Sequence, residues 1–122
     1  MSVDVIAKVQ ELLNEEKWTR ATIENYSRKN FIALDSIIES ALAQGIAKDV
    51  REICLEHMKH SQNSIITLYV IGIINYEIKA LDNNYLTKAI TLFRDNKKWA
   101  IVEFLADRIL AYEENQIGRA HV

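Results

Sequence analysis

The absence of proline is the feature that most restricts what this chain can fold into. Its 122 residues include no proline and only three glycines, so few residues are suited to the tight turns that join strands into hairpins. Alanine, leucine, isoleucine, glutamate and lysine dominate instead, and helices tolerate all of these residues well. The sequence therefore predicts an all-α fold and argues against a β architecture.

Length and charge favour one soluble domain over residues 1–122. A chain of 14.1 kDa buries about two thirds of the surface that its unfolded state exposes, which supports a core without metal or disulfide staples. Fifteen basic side chains against seventeen acidic ones give a net charge of −2, which does not favour a nucleic-acid partner. A single cysteine cannot form an intramolecular disulfide, and no signal peptide precedes the first amphipathic segment, so a cytoplasmic protein is expected.

Apolar residues recur at helical spacing in seven segments, of which three lie in the first third of the chain. Ser2 is the expected cap of the first helix, which is predicted to end near Asn14. Thr19 is the expected cap of a short second helix, closed by residues 27–29. Gly45 suits the left-handed position after a helix, so the third helix is predicted to end there and the fourth to begin directly after it.

The fifth predicted helix is apolar on nearly all sides. From Ile65 to Ile74 only Thr67 and Gly72 are not strongly apolar, and Ser64 stands before the run as a candidate cap. The many β-branched residues would suit a strand. Because the run continues without a turn signal to Leu81, its length favours a buried helix instead. The apolar run is far shorter than the roughly 20 residues that span a bilayer, so no membrane segment is expected.

Two further helices are predicted in the last third of the chain. A turn is expected at residues 82–84, followed by a helix over Tyr85–Asp95 and a basic corner at residues 97–98. The last helix is predicted to begin at Trp99 and to end near residues 113–115. Seven helices joined by tight turns are the result.

One helix pair resembles a tetratricopeptide repeat. Residues 68–72 resemble the opening of that repeat, in which a glycine lets one helix pack closely on its partner, and Tyr85 to Phe93 looks like its second helix. More residues lie between Gly72 and Ala89 than the standard repeat allows. The resemblance implies antiparallel helix pairs in a tetratricopeptide-like right-handed superhelix or α-α solenoid fragment, with a closed bundle as the alternative. Because no polar capping repeat follows the last helix, residues 1–122 are predicted to be the N-terminal part of a longer protein.

A second resemblance covers almost the whole chain. The segment is similar to the helical N-terminal extension of long GreA-type bacterial transcription elongation factors. The residues that carry this resemblance are 16–20 (Glu-Lys-Trp-Thr-Arg), Tyr26, Phe31, Leu34 and 98–100 (Lys-Trp-Ala). In that family an acidic-tipped coiled coil stimulates RNA cleavage and a C-terminal domain contacts RNA polymerase, and neither is present here. The resemblance implies an accessory module that binds a protein of the transcription machinery, with no functional residue of the Gre module to transfer.

Cys54 and His57 carry the enzymatic alternative. An imidazolium on the same helix face lowers the pKa of a thiol, so a small helical enzyme or ligand carrier using these two residues is the second hypothesis. Cys54, His57 and His60 are zinc-ligand types, but they spread around the helix and lack a fourth ligand. No phosphate-binding loop or nucleophile motif is present. We therefore expect a non-catalytic protein without metal or cofactor.

Four residues are the candidate partner-binding residues. Asn75, Tyr76 and Lys79 fall on a first helix, whose surface lines the peptide groove in tetratricopeptide-type repeats, and Trp99 follows the basic corner. Such a groove would take a partner's helix or extended segment by packing apolar anchors.

The last helix opens two further alternatives. The basic residues before Trp99 could contact phosphate while its ring stacks on a base, but acidic neighbours argue against nucleic acid. An open apolar face around Trp99, Leu105 and Tyr112 makes homo-oligomerisation the other alternative.

Overall fold

The computed structural model describes residues 4–17, 19–80 and 84–120, with side chains described as far as residue 114. Within these ranges all regular structure is helical, and the all-α prediction is confirmed. The helices are α1 (Val5–Glu15), α2 (Arg20–Asn25), α3 (Arg28–Ala43), α4 (Ala47–Met58), α5 (Ile65–Glu77), α6 (Tyr85–Asp95) and α7 (Trp99–Ala120).

The helix starts follow local capping chemistry. Thr19 and Ser64 cap α2 and α5 as predicted, since their side chains accept hydrogen bonds from backbone N–H groups three residues later. Asp4 caps α1 in the same way, whereas the expected cap Ser2 lies outside the described residues. The prediction that Ser27 closes α2 is wrong: its backbone is extended and its N–H donates to Asn30 Oδ1 at 2.9 Å, so it begins α3.

The helix ends agree with the sequence at Gly45 and differ at α7. Gly45 has φ 73 and follows α3, as predicted. Helix α7 continues to Ala120, past the predicted end at residues 113–115, because glutamate and asparagine there interrupt nothing in a helical backbone. The predicted turn at residues 82–84 lies largely outside the described residues.

Helix α5 is the centre of the molecule. Every residue from Ile65 to Asn75 is buried, and α1, α3, α4 and α6 all pack on it. The prediction of a helix buried all round is confirmed, because four neighbours leave no side of its first three turns open to water. No helix in the described part of the chain is long and apolar enough to cross a membrane.

Gly72 allows the closest helix contact. A Cβ atom built on Gly72 would lie 2.7 Å from Leu86 Cγ on α6, which is too short for a real contact. The role that the sequence assigned to this glycine is thus confirmed at the α5–α6 pair. Each of α4, α5 and α6 also packs on its successor, in agreement with helix pairs joined by short turns.

Side chains of α3 and α7 meet beside α5. The rings of Phe31 and Phe104 lie 5.6 Å apart, and Arg108 Nη2 contacts Asp35 Oδ2 at 2.6 Å. Because both pairs advance by four residues in the same direction, the two helices run parallel. The protein's own side chains therefore fill the space between α3 and α7 at this level. A tetratricopeptide-like superhelix stays a prediction.

Candidate interaction surfaces

Asn75 is not a surface residue. Its exposed fraction is 0%, and Arg51 Nε donates a hydrogen bond to its Oδ1 at 2.6 Å. The expectation that this amide lines an open groove is wrong, because α4 covers α5 at this position. Asn75 instead accepts a hydrogen bond from the Arg51 guanidinium at the interface of α4 and α5.

Tyr76 and Lys79 lie at the C-terminal end of α5. The Tyr76 ring stacks on Tyr112 of α7, with centroids 4.8 Å apart, and the Tyr112 hydroxyl donates to Glu77 at 2.7 Å. Burial and the bond to Glu77 raise the pKa of Tyr112 well above its ordinary range. Lys79 is exposed just beyond the helix, at φ 59. Tyr76 therefore holds α7 against α5, and of the three candidate residues near the end of α5 (Asn75, Tyr76 and Lys79) Lys79 is the exposed one.

Trp99 lies at the opposite end of α7. It is the first residue of that helix and is 60% exposed. Tyr112 is thirteen residues further along, which corresponds to about 20 Å of helix. The structure thus separates Trp99 from Tyr76 and Lys79, so the four candidate residues do not form one surface.

A basic cavity surrounds Trp99. Four of the residues that line it are Arg28, Lys97, Lys98 and Trp99, which we call the tryptophan corner; Tyr26, Ser27, Ala100 and Ile101 complete the lining. The cavity holds about 460 Å³, and no carboxylate is among its lining residues. Lys98 Nζ donates to the backbone carbonyl of Glu24 at 2.7 Å, so the corner is tied to the end of α2.

The turn between α6 and α7 builds this corner. Lys97 adopts φ 59, and the Lys98 N–H donates to the Phe93 carbonyl at 2.9 Å, which closes the end of α6 in the manner of a Schellman motif. Glycine is the usual residue at such a position, so the sequence carried no signal for this turn geometry. The turn brings the start of α7 beside the start of α3.

A larger groove, which no pattern in the sequence indicates, lies between α4 and α6. It holds about 640 Å³, and its apolar lining includes Leu55, Met58 and Leu92. Lys59 at its rim is 2.8 Å from Glu56, so the pair is locally neutral. This groove has apolar surface, and Lys88 adds one further cation to its lining, against three cations at the tryptophan corner.

Cys54 and His57 do not share an accessible site. Cys54 has an exposed fraction of 0%, and burial together with the nearby charge of Glu16 raises the pKa of its thiol to about 12. His57 lines a separate surface cavity of about 380 Å³ with His60 and Gln10 among others. No cluster of three or more metal-ligating side chains occurs within the described residues.

Two curated proteins are similar to this chain over most of its length. The chain is 36% identical over 115 residues to "Transcription elongation factor GreA" of Borreliella burgdorferi, a match that covers 94% of the chain and 13% of that protein. It is 45% identical over 93 residues to "Putative GreA-associated domains protein" of Treponema pallidum, covering 76% of the chain and 14% of that protein. No protein-family model and no solved structure matches it.

The chain therefore spans only 13% and 14% of the lengths of these relatives. The resemblance to a segment of long GreA-type proteins is confirmed. Where in those longer proteins the segment lies stays a prediction.

Proposed function

We propose that this chain is an accessory helical module of a GreA-type transcription elongation factor. It binds a protein of the transcription machinery in the bacterial cytoplasm and carries out no chemistry itself. The observation that carries the proposal is the similarity of nearly the whole chain to a small part of a protein named as transcription elongation factor GreA. A segment of this size with its own core is a module attached to the rest of such a protein.

The tryptophan corner is the proposed contact surface of this module. Trp99 has the largest exposed fraction, 60%, among the exposed large hydrophobic side chains in the described part of the chain. Tryptophan and arginine are the residues most enriched where interfaces gain their binding energy. Trp99 and Arg28 line the same cavity, which supports this surface over the end of α5 where Lys79 lies.

The burial of Cys54 supports a binding role over a chemical one. A thiol with no exposed surface and a pKa raised to about 12 is neither ionised nor reachable at neutral pH. The alternative of an enzyme or ligand carrier built on Cys54 and His57 therefore has no structural support in the described residues.

A direct binding measurement tests the proposal. The chain is immobilised, and RNA polymerase of the source bacterium is passed over it, both alone and assembled on a nucleic-acid scaffold. We expect saturable binding that the Trp99→Ala variant weakens about tenfold or more, as loss of an interface tryptophan does. Leu110→Ala is the matched control, because Leu110 is 53% exposed on the same helix but outside the corner.

Two outcomes would contradict the proposal. If the polymerase binds in neither form, the partner assignment fails. If Leu110→Ala weakens binding as much as Trp99→Ala does, the tryptophan corner is not the contact surface.

A further inference from the structure

We propose that the tryptophan corner recognises a short acidic protein segment that carries at least one large apolar side chain. This inference rests on the proposed function and specifies the chemistry of the partner. It follows from three features of the corner: the charges that line it, the helix ends that meet there, and the exposed indole.

The charge of the corner is unbalanced in an acidic chain. Arg28, Lys97 and Lys98 line the cavity without a carboxylate, although the whole chain carries a net charge of −2. Among the arginines whose side chains the structure describes, Arg28 is the one that forms no ion pair with another described residue, whereas those elsewhere pair with acids (Arg20, Arg51, Arg94 and Arg108). The corner attracts an acidic ligand, whereas the remaining surface of this acidic chain repels it. This difference makes binding at the corner selective.

The helix ends add to the same field. Helices α3 and α7 both begin at the corner, and neither has an acidic residue in its first turn. The unpaired N–H groups at a helix start carry partial positive charge. Carboxylates of a partner would therefore interact both with the positive side chains and with the positive ends of the two helix dipoles.

The apolar component comes from Trp99 and the cavity beside it. The indole is 60% exposed, and Tyr26 and Ile101 also line the cavity of about 460 Å³. This volume suits a few side chains, not a folded domain. The bond from Lys98 to the Glu24 carbonyl holds one wall in place, which reduces the ordering that binding requires.

The surroundings of the corner favour an acidic peptide over nucleic acid. Three exposed acidic residues lie near the corner. The backbone carbonyl of Glu24 accepts the hydrogen bond from Lys98, Asp95 precedes Lys97 by two residues, and Glu103 follows Trp99 by one helical turn. An extended polyanion gains affinity by neutralising many phosphates along its backbone. Three cations with acids near them in sequence offer few such contacts, which favours a short segment over a long strand.

The test uses the full chain and fluorescently labelled probes in an anisotropy titration. The probe is a short synthetic peptide of aspartate and glutamate with two central leucines. One comparison peptide has asparagine and glutamine in place of the acids, another has alanine in place of the leucines, and a single-stranded RNA of similar length is the third comparison. We expect the acidic leucine peptide to bind more tightly than all three, with an affinity that falls as salt rises.

Matched charge reversals locate the binding. The double variant R28E/K97E is expected to lower the affinity for the acidic peptide about tenfold or more, and Trp99→Ala by a similar factor. The double variant K8E/K48E changes the net charge equally at exposed lysines outside the corner, and we expect it to bind within about twofold of the original chain. Circular dichroism confirms that each variant is folded before it is titrated.

The outcomes separate this inference from the proposed function. Tighter binding of the RNA, or equal binding of the uncharged peptide, overturns the inference even if RNA polymerase binds through Trp99. Equal losses in the two double variants also overturn it, because the effect is then one of net charge. If the acidic peptide binds at the corner but RNA polymerase does not bind the chain, the inference stands and the partner assignment fails.

Discussion

At the scale of single residues, burial decides the chemistry of Cys54. Because the thiol has no exposed surface and a pKa raised to about 12, we expect a disulfide reagent at neutral pH to label it far more slowly in the folded chain than in urea. The ratio of the two rates gives the free energy of the opening that exposes the side chain. Rapid labelling of the folded chain would contradict this prediction and would make Cys54 a candidate nucleophile again.

At Gly72 we expect an added methyl group to destabilise the fold. Gly72→Ala places a Cβ atom 2.7 Å from Leu86 Cγ and 3.3 Å from the Leu86 backbone nitrogen. Overpacking of this kind lowers the free energy of unfolding by about 1–3 kcal/mol, which equals or exceeds the gain of about 1 kcal/mol from replacing a helical glycine with alanine. Urea denaturation measures the difference.

The double variant Gly72→Ala/Leu86→Ala provides the control. If the clash with Leu86 is the cause, the added methyl group is less harmful in the Leu86→Ala background than in the original chain, where Leu86 is intact. An unchanged effect of Gly72→Ala in that background would show that the helix approach does not limit this position.

At the scale of elements, the start of α5 depends on a partly buried carboxylate. Glu16 accepts hydrogen bonds from the Ser64 hydroxyl and from the Ile66 N–H, the latter at 3.1 Å. These bonds favour its charged form, but desolvation outweighs them and raises its pKa above the ordinary value of 4.5. The folded state therefore holds this proton more tightly than the unfolded state. The resulting stability is present below pH 4.5 and is lost as the pH rises through the raised pKa.

Glu16→Gln removes this titration and so tests its sign. We expect the stability of the original chain relative to Glu16→Gln to decrease as the pH rises from 4 to 7, as measured by urea denaturation at each pH. Glutamine keeps one carbonyl oxygen and has an NH2 group in place of the other acceptor, so the variant loses one of the two hydrogen bonds, and this change in the variant does not depend on pH. A relative stability that rises over this range would mean that the hydrogen bonds outweigh desolvation.

The attachment of α7 to α3 and α5 depends on Asp35. Its two carboxylate oxygens accept hydrogen bonds from the Tyr69 hydroxyl and from Arg108, both at 2.6 Å. Asp35→Ala leaves both donors without this acceptor, so we expect a loss of about 1–3 kcal/mol in the free energy of unfolding. Glu103→Ala, at an exposed position of α7, is expected to stay within about 0.5 kcal/mol. Equal effects of the two variants would contradict a specific role for Asp35.

At the scale of the whole molecule, we expect a monomer. Leu105, predicted to lie on an open face, is fully buried against the core, which removes the centre of the expected oligomer contact. Trp99 and Leu110 point within about 20° of each other around α7, three turns apart. Together with Ile32 on α3, these are three exposed large hydrophobic side chains in the described residues, which cover far less than the area of a stable interface.

Light scattering at micromolar concentration measures this directly. A mass near 14.1 kDa is the expected result. A dimer that Trp99→Ala or Leu110→Ala dissociates would instead favour homo-oligomerisation through α7.

Helices and caps were largely predictable, because their signals are local. Thr19, Ser64 and Gly45 act where the sequence placed them, since a cap depends on residues within one turn of it. Ser27 was assigned to the wrong helix because a serine is compatible with either side of a short connection. Of the tryptophan corner, the sequence indicated the basic residues 97–98 and Trp99, but not that Arg28 lies beside them, because that depends on the left-handed turn at Lys97 and on helix packing.

The sequence by itself determined that this chain is all-α, that α5 is its buried centre, and that Gly72 brings two helices together. These properties follow from periodicity and residue size, which act over a few residues. Only the tertiary structure decided that Asn75 is buried, that Phe31 and Phe104 close the space between α3 and α7, and that Trp99 lies far from Tyr76. Each of these depends on which helices become neighbours, and that choice comes from packing energies summed over the whole core.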